Sequence, residues 1–413
     1  MSEIRFKQAQ AIYKEIGASA EGAVASLAQI PISIHCWQGD DVSGFEGGAR
    51  SGGGLAVTGN YPGRARNHAE LMEDIAKALS HIPGKHRLNL HASYAITDEN
   101  VDRDALAPRH FAKWVDFAKA HGLGLDFNPT YFSHPKADVA TLSSYDEDIR
   151  KFWIDHGVAC LKIAEYFATE LDTYSLLNIW IPDGTKDTPA DRQTPRKLLK
   201  DSLDAILAAD YDRDKVPVSV ESKVFGIGLE SFTVGSHEFY MNYANRRGIL
   251  CMIDNGHFHP TENVADKISS MLAFFDKVAL HVTRPVRWDS DHVVLFDDEM
   301  RAIAAEIIKH GTHRVLLGLD FFDAGINRVA AWILGVRAAQ KALLYAILTP
   351  HEKMAQLQRQ GRQTELLVLQ EELKTLPFGD VWNYFCLINN VAPESDWFAD
   401  IKKYESDVLL KRS

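Results

Sequence analysis

The stretch RWDSDHV, residues 287–293, sets two aspartates one residue apart. In an extended chain residues i and i+2 share a face, so Asp289 and Asp291 would aim two like charges at one spot. Two carboxylates so placed resist ionising together unless a positive charge meets them. Further acids and imidazoles end or follow apolar runs: Glu221 in VPVSVES, Asp254 and His257 in ILCMIDNGH, His281 in VALHVTR and Asp320 in VLLGLDF. Five carboxylates converging on one pocket require cations. Carboxylate and imidazole donors without thiolate suit Mn²⁺, Mg²⁺, Co²⁺ or Zn²⁺, and that much negative charge favours two ions over one. Asp254 and His257 sit three residues apart, so a strand end and its following turn could serve neighbouring ions, with Glu221 as a bridge. The ordinary account is that strand-end acids cap helices or pair with cations such as Arg284, Arg287 and Lys223. It suits any one of these acids and fails for the set, because the cations are too few.

Such residues need a scaffold that brings them together. Eight short apolar runs alternate with helical periodicity. They are IPISIHC, RLNLHAS, GLGLDFN, SLLNIWI, VPVSVES, ILCMIDN, VALHVTR and VLLGLDF, starting at residues 30, 87, 122, 175, 216, 249, 278 and 315. Eight strand–helix repeats predict an α/β fold, a closed (β/α)8 TIM barrel. No glycine fingerprint follows the first run, which counts against a doubly wound sheet. Strands buried on both faces are expected to be apolar. Yet these runs end in His35 and Trp37, His91, Asn128, Trp180, Glu221 with Lys223, Asp254, His281 and Asp320. All would meet at the C-terminal mouth, where barrels place their chemistry. An N-terminal helical segment over residues 1–29 precedes the barrel at 30–348. A helical extension over 349–413 follows, opening with the long helical pattern EKMAQLQRQGRQTELLVLQEELKTL.

The loop QGDDVSGFEGGARSGGGLAVTGNYPGR, residues 38–64, leaves from the same mouth and lacks phosphate-loop spacing. It reads as a substrate-covering or subunit-contacting loop, or as plain surface. The chain of 413 residues is 46% hydrophobic, enough for a large core, and carries a net charge of −11. That charge, with no basic stripe, counts against nucleic acid as a partner and against a metal-loaded barrel that cuts its backbone. Cys36, Cys160, Cys251 and Cys386 lack CxxC spacing and read as buried reduced thiols. With no signal-type h-region and no membrane-length apolar run, a soluble protein is expected, most simply cytoplasmic.

The stretches PISIHCWQGDDVSGFE, TGNYPGRARN, RLNLHASY, LGLDFNPTYFSHP, NIWIPDG, VESKVFGIG, GHFHPTE, RPVRWDSDHVV and GLDFFDAGINR resemble the L-rhamnose isomerase family. The resemblance runs from the first strand to the last helices. It implies a barrel related to xylose isomerase, a homotetramer, divalent cations such as Mn²⁺, and interconversion of L-rhamnose and L-rhamnulose. By motif, Glu221, Asp254, His281 and Asp320 match ligands of a first, structural metal. His257, Asp289 and Asp291, with Glu221 shared, match those of a second, catalytic one. Lys223 matches the lysine beside the bridging glutamate, and Trp37, His91 and Trp180 match residues lining the sugar pocket. Lys223, His257, Asp289 and Asp291 then form the catalytic set.

The implied reaction moves hydrogen between C1 and C2 of an open-chain sugar. One cation would orient the sugar and the other would serve proton transfer between O1 and O2, while a hydride crosses between the carbons. Lys223 would place positive charge near a developing alkoxide. Trp37 and Trp180 would exclude water, and His91 would assist ring opening. A cis-enediol route needs a general base, and metal ligation would occupy the carboxylates. A module that only binds sugar would not need the second metal set, and another aldose as substrate would leave the same site chemistry.

Overall fold

The computed structural model describes residues 2–46, 57–224, 228–286 and 291–412. The apolar runs form eight parallel strands: β1 (Ile32–His35), β2 (His86–His91), β3 (Gly124–Asn128), β4 (Leu177–Ile179), β5 (Val218–Glu221), β6 (Leu250–Asp254), β7 (Val278–Val282) and β8 (Val315–Leu319). Each pairs with its neighbours in chain order, and β8 returns to β1 to close the barrel. Five of the helices around the barrel start on side-chain caps. Asn67, Asp146, Asn263, Asp297 and Asn327 each accept a backbone N–H from the first turn that follows. Helices Ala112–His121 and His237–Arg247 stop at Gly122 and Gly248, whose φ values of 63° and 65° turn the chain back toward the next strand.

The strands are not apolar on both faces, as expected from burial alone. Their outward side chains pack on helices, but the barrel interior holds buried Ser33, Arg87, Asn89, Asp126, Asn178 and Ser219. Each finds a partner on another strand, which is what makes buried polar groups tolerable. Arg87 forks Asp126 at 2.9 Å from both Nε and Nη2, and the Ser33 hydroxyl donates to the same carboxylate at 2.6 Å. These pairs form the floor below the mouth.

The N-terminal segment is two helices, Ser2–Glu15 and Ala20–Leu27, broken where Gly17 takes φ 86°. The long C-terminal pattern also divides, at Gly361 with φ 70°, into His351–Arg359 and Gln363–Leu373. Phe378–Ile388 and Trp397–Asp407 follow. Helix Arg328–Ile347 is buried on nearly all sides because it lies between the barrel and these terminal helices. Among the described residues no single helix is long and apolar enough to cross a membrane. The bent pair Arg328–Ile347 and His351–Arg359 passes on length and composition, but its first helix is core. All four cysteines are free and buried. Of the Gly-rich loop, residues 47–56 lie outside the described residues. Its returning stem presses against the loop after β8, where a Cβ on Gly59 would fall 2.3 Å from the Ala324 carbonyl carbon.

Candidate active site

Four of the expected ligands meet at the barrel mouth. Glu221 ends β5, Asp254 ends β6, His281 stands in β7 and Asp320 follows β8. One ligand atom from each lies within 4.8 Å of the others. Register explains the convergence, because Asp254 and His281 are direct partners across β6 and β7, and Gly318 faces His281 from β8. A Cβ at Gly318 would stand 3.1 Å from His281 Cδ2, so glycine leaves room for the imidazole. His281 Nδ1 lies 3.3 Å from Glu221 Oε2 and 3.5 Å from Asp320 Oδ2. His257, in the turn Asn255–His257, brings Nδ1 to 3.4 Å from Glu221 Oε1. Glu221 thus lies between the two imidazoles.

The electrostatics are those of a cation site. Burial, reinforced by Glu221 and Asp320, pushes Asp254 up to about 8 despite both histidines. Burial also lifts Asp320 to about 6 against the pull of His281. Burial would depress His281, but Glu221, Asp320 and Asp254 raise it to about 9. Glu221 itself is held below the ordinary range, since His281, His257 and Asn178 outweigh its burial. Protons shared among buried acids stand where a divalent ion would stand, and binding one would release them. Asp254 supplies the direct test. Its Oδ1 accepts the Gly256 N–H at 2.7 Å, while Oδ2 is buried with no donor among the described residues. A buried carboxyl oxygen without a donor, beside two further carboxyls and an imidazole, fits a bound cation.

The rest of the expected site is placed unevenly. Asp289 and Arg287 lie outside the described residues. Asp291 is described, and its φ of 42° lies in the left-handed region, not in that of an extended residue. The backbone folds back there: Asp291 O accepts the Phe322 N–H at 3.1 Å, and His292 O accepts the Arg284 N–H at 3.0 Å. That turn brings the segment beside the loop carrying Asp320. Arg284 Nε donates to Val293 O at 3.0 Å. Lys223 follows Glu221 by two residues; its N–H donates to Gly235 O at 3.1 Å and its Nζ lies 5.5 Å from the Trp180 ring centroid.

The aromatic residues form an arc around the mouth. Trp37 meets His91 at 4.8 Å, His91 meets Phe132 at 5.3 Å, and Phe132 meets Trp180 at 5.8 Å, all edge to face. Trp37 is fixed by a 2.8 Å bond from Nε1 to Asp320 Oδ1. His35 and Asn128, though at strand ends, serve structure. His35 accepts the Phe321 N–H at 3.3 Å, and Asn128 donates to Asn89 Oδ1 at 2.6 Å.

Phe132 was not singled out from the sequence. Neither was Asn178, whose Nδ2 donates to Glu221 Oε2 while its Oδ1 accepts from Ser219 at 2.7 Å. A lone asparagine inside the apolar run SLLNIWI was the available signal for the second.

The L-rhamnose isomerase (RhaA) family model matches residues 2–412. Among curated relatives, L-rhamnose isomerase of Mannheimia succiniciproducens is 54% identical over 98% of this chain and 98% of its own. That of Listeria monocytogenes is 52% identical over 99% and 98%. That of Pectobacterium carotovorum is 51% identical over 99% and 98%. A solved L-ribulose 3-epimerase is similar at 12% identity, with a TM-score of 0.46 over 79% of this chain and 97% of its own. The chain belongs to the L-rhamnose isomerase family.

Proposed function

We propose that the chain interconverts L-rhamnose and L-rhamnulose with two divalent cations, Mn²⁺ among the fitting ions. The observation that carries this is the four-donor cluster with its unpartnered Asp254 oxygen, in a chain that matches L-rhamnose isomerases along its length. Glu221, Asp254, His281 and Asp320 hold one ion; His257, Asp289 and Asp291, with Glu221 shared, hold the other. A bound divalent cation polarises the sugar carbonyl and lowers the pKa of the neighbouring hydroxyl.

The remaining roles fall to the chain itself. Trp37, His91 and Trp180 line the sugar and exclude water. Burial, and His281 nearby, hold His91 down to about 3, so it meets the sugar as a neutral imidazole that orients a sugar hydroxyl by hydrogen bonding during ring opening. Lys223 sets an ammonium near the developing alkoxide. In the direction of ketose, a hydride crosses from C2 to C1 while a proton passes from O2 to O1. Exposed Leu367, Val368, Leu387, Ile388 and Phe398 on the C-terminal helices support assembly as a homotetramer, and four free thiols fit a reducing, cytoplasmic setting.

The test is to strip the protein with EDTA and follow ketose formation from L-rhamnose with and without Mn²⁺. Turnover restored by the metal is expected; none under any divalent ion would send the search to other aldoses. Asp289→Asn should abolish turnover and leave the fold intact, and near-normal activity would remove Asp289 from the catalytic set. In D₂O the ketose should carry little deuterium at C1. Substantial incorporation there would replace the hydride shift with the cis-enediol route.

A further inference from the structure

Arg103 lies outside every role assigned so far, yet every N–H of its guanidinium is engaged. It sits in the short helical turn Arg103–Ala105, and the residue is 1% exposed. Nη1 donates to Thr130 O and Phe132 O, each at 2.6 Å. Nη2 donates to Ser133 O at 3.2 Å and to Glu46 Oε2 at 2.7 Å, and Nε donates to Glu46 Oε1 at 3.1 Å. Those are the five N–H groups a guanidinium possesses, all engaged. Three of the acceptors belong to residues 130–133, the segment after β3 that carries Phe132. That segment is not in a relaxed conformation, since Ser133 takes φ 53°. Carbonyls of a turn that converge on one point need donors there, and the guanidinium supplies them.

The same segment orients His91. Thr130 Oγ1 lies 3.3 Å from His91 Nδ1 and accepts the Ser93 N–H at 3.1 Å. Behind it, His156 Nε2 accepts the Thr130 N–H at 3.0 Å. Glu46, at the other end of the fork, is the last described residue of the departing stem of the Gly-rich loop.

We propose that Arg103 is a positioning residue for the sugar pocket: by clamping residues 130–133 to Glu46 it holds Phe132 and His91 in the wall between Trp37 and Trp180. The inference rests on the functional reading above and adds a residue that touches no sugar and no metal ligand. Lysine cannot substitute, because one ammonium offers three donors without the planar fork.

The test uses the full chain with Mn²⁺. In Arg103→Lys, KM for L-rhamnose should rise about tenfold with kcat within about threefold, the signature of lost binding geometry and not of lost chemistry. The rise in melting temperature on adding Mn²⁺ should match the parent's, since the ligands are untouched. Combining Arg103→Lys with Phe132→Leu should raise KM no further than the worse single variant, because both act on one wall. A purely structural arginine would lower the melting temperature and leave KM alone; that outcome, or additive effects with Phe132→Leu, overturns the proposal. Should Arg103→Lys fail to fold, Glu46→Gln in the same cycle replaces it, with a smaller rise in KM expected and an unchanged KM overturning. A parent protein inactive on L-rhamnose sinks the functional reading and this inference together, whereas an active parent with unchanged variants sinks this inference alone.

Discussion

Asp254 shows how one side chain is committed by its surroundings. Its carboxyl is pushed up to about 8 by burial and by neighbouring acids. A carboxyl whose folded pKa lies above its unfolded value binds its proton more tightly in the fold, so it costs stability progressively as pH climbs between the two. Metal-free Asp254→Asn should therefore gain stability relative to the parent between about pH 4 and pH 8, read from urea midpoints in EDTA. With Mn²⁺ the gap should narrow. The parent gains about 2.7 kcal/mol at a hundredfold excess over Kd, and the variant gains little. Asn178 acts one step back, through Glu221. Asn178→Ala should weaken Mn²⁺ affinity about 10- to 100-fold in calorimetry while keeping the fold; unchanged affinity would leave Glu221 positioned by the histidines alone.

At the scale of elements, neighbouring strand ends are stitched together where they carry ligands. Asn255, just after β6, donates from Nδ2 to Thr283 O at 3.0 Å and accepts the Thr283 N–H on Oδ1 at 2.8 Å. That amide locks the turn holding His257 to the end of β7, which holds His281. Asn255→Ala leaves two buried backbone groups without partners, an expected cost of about 2 kcal/mol in urea unfolding, together with a fall in kcat. At the opposite end of the barrel, the Arg87–Asp126 pair and its Ser33 hydroxyl are buried and serve no sugar. Asp126→Ala leaves a buried guanidinium uncompensated and should cost about 3–5 kcal/mol of stability, with KM unchanged in the folded fraction.

For the molecule as a whole, buried neutral histidines set the response to acid. Burial lowers His86 to about 4 and His156 to about 3, although each keeps a hydrogen bond to a backbone carbonyl. Unfolded histidine titrates near 6.5, so below that pH the unfolded chain binds protons the fold refuses. Stability should fall as pH drops from 6.5 toward 4, by up to about 1.4 kcal/mol per pH unit for each such histidine. His86→Gln should flatten that slope in metal-free protein, and an unaltered slope would assign the acid response to other groups. Light scattering at micromolar concentration should give four chains per particle. A monomer would leave the exposed Leu367, Val368, Leu387, Ile388 and Phe398 to another explanation.

The sequence by itself determined the barrel, because eight apolar runs in alternation with amphipathic helices admit few closures, and all eight became strands. It also determined that acids and imidazoles at strand ends share a mouth, since parallel strands all point their C-terminal ends the same way. Four of them form the cluster. Tertiary structure decided what periodicity cannot carry. The inward polar pairs such as Arg87–Asp126 were invisible because a partner on the next strand lies tens of residues away, and burial alone predicts apolar residues there. The backbone at Asp291 escaped because a left-handed residue other than glycine leaves no local mark, and the bonds seen there, from Phe322 N–H to Asp291 O and from Arg284 N–H to His292 O, come from distant parts of the chain. Phe132 and Arg103 were silent for the same reason: an aromatic and a guanidinium acquire their work only from the neighbours that folding supplies.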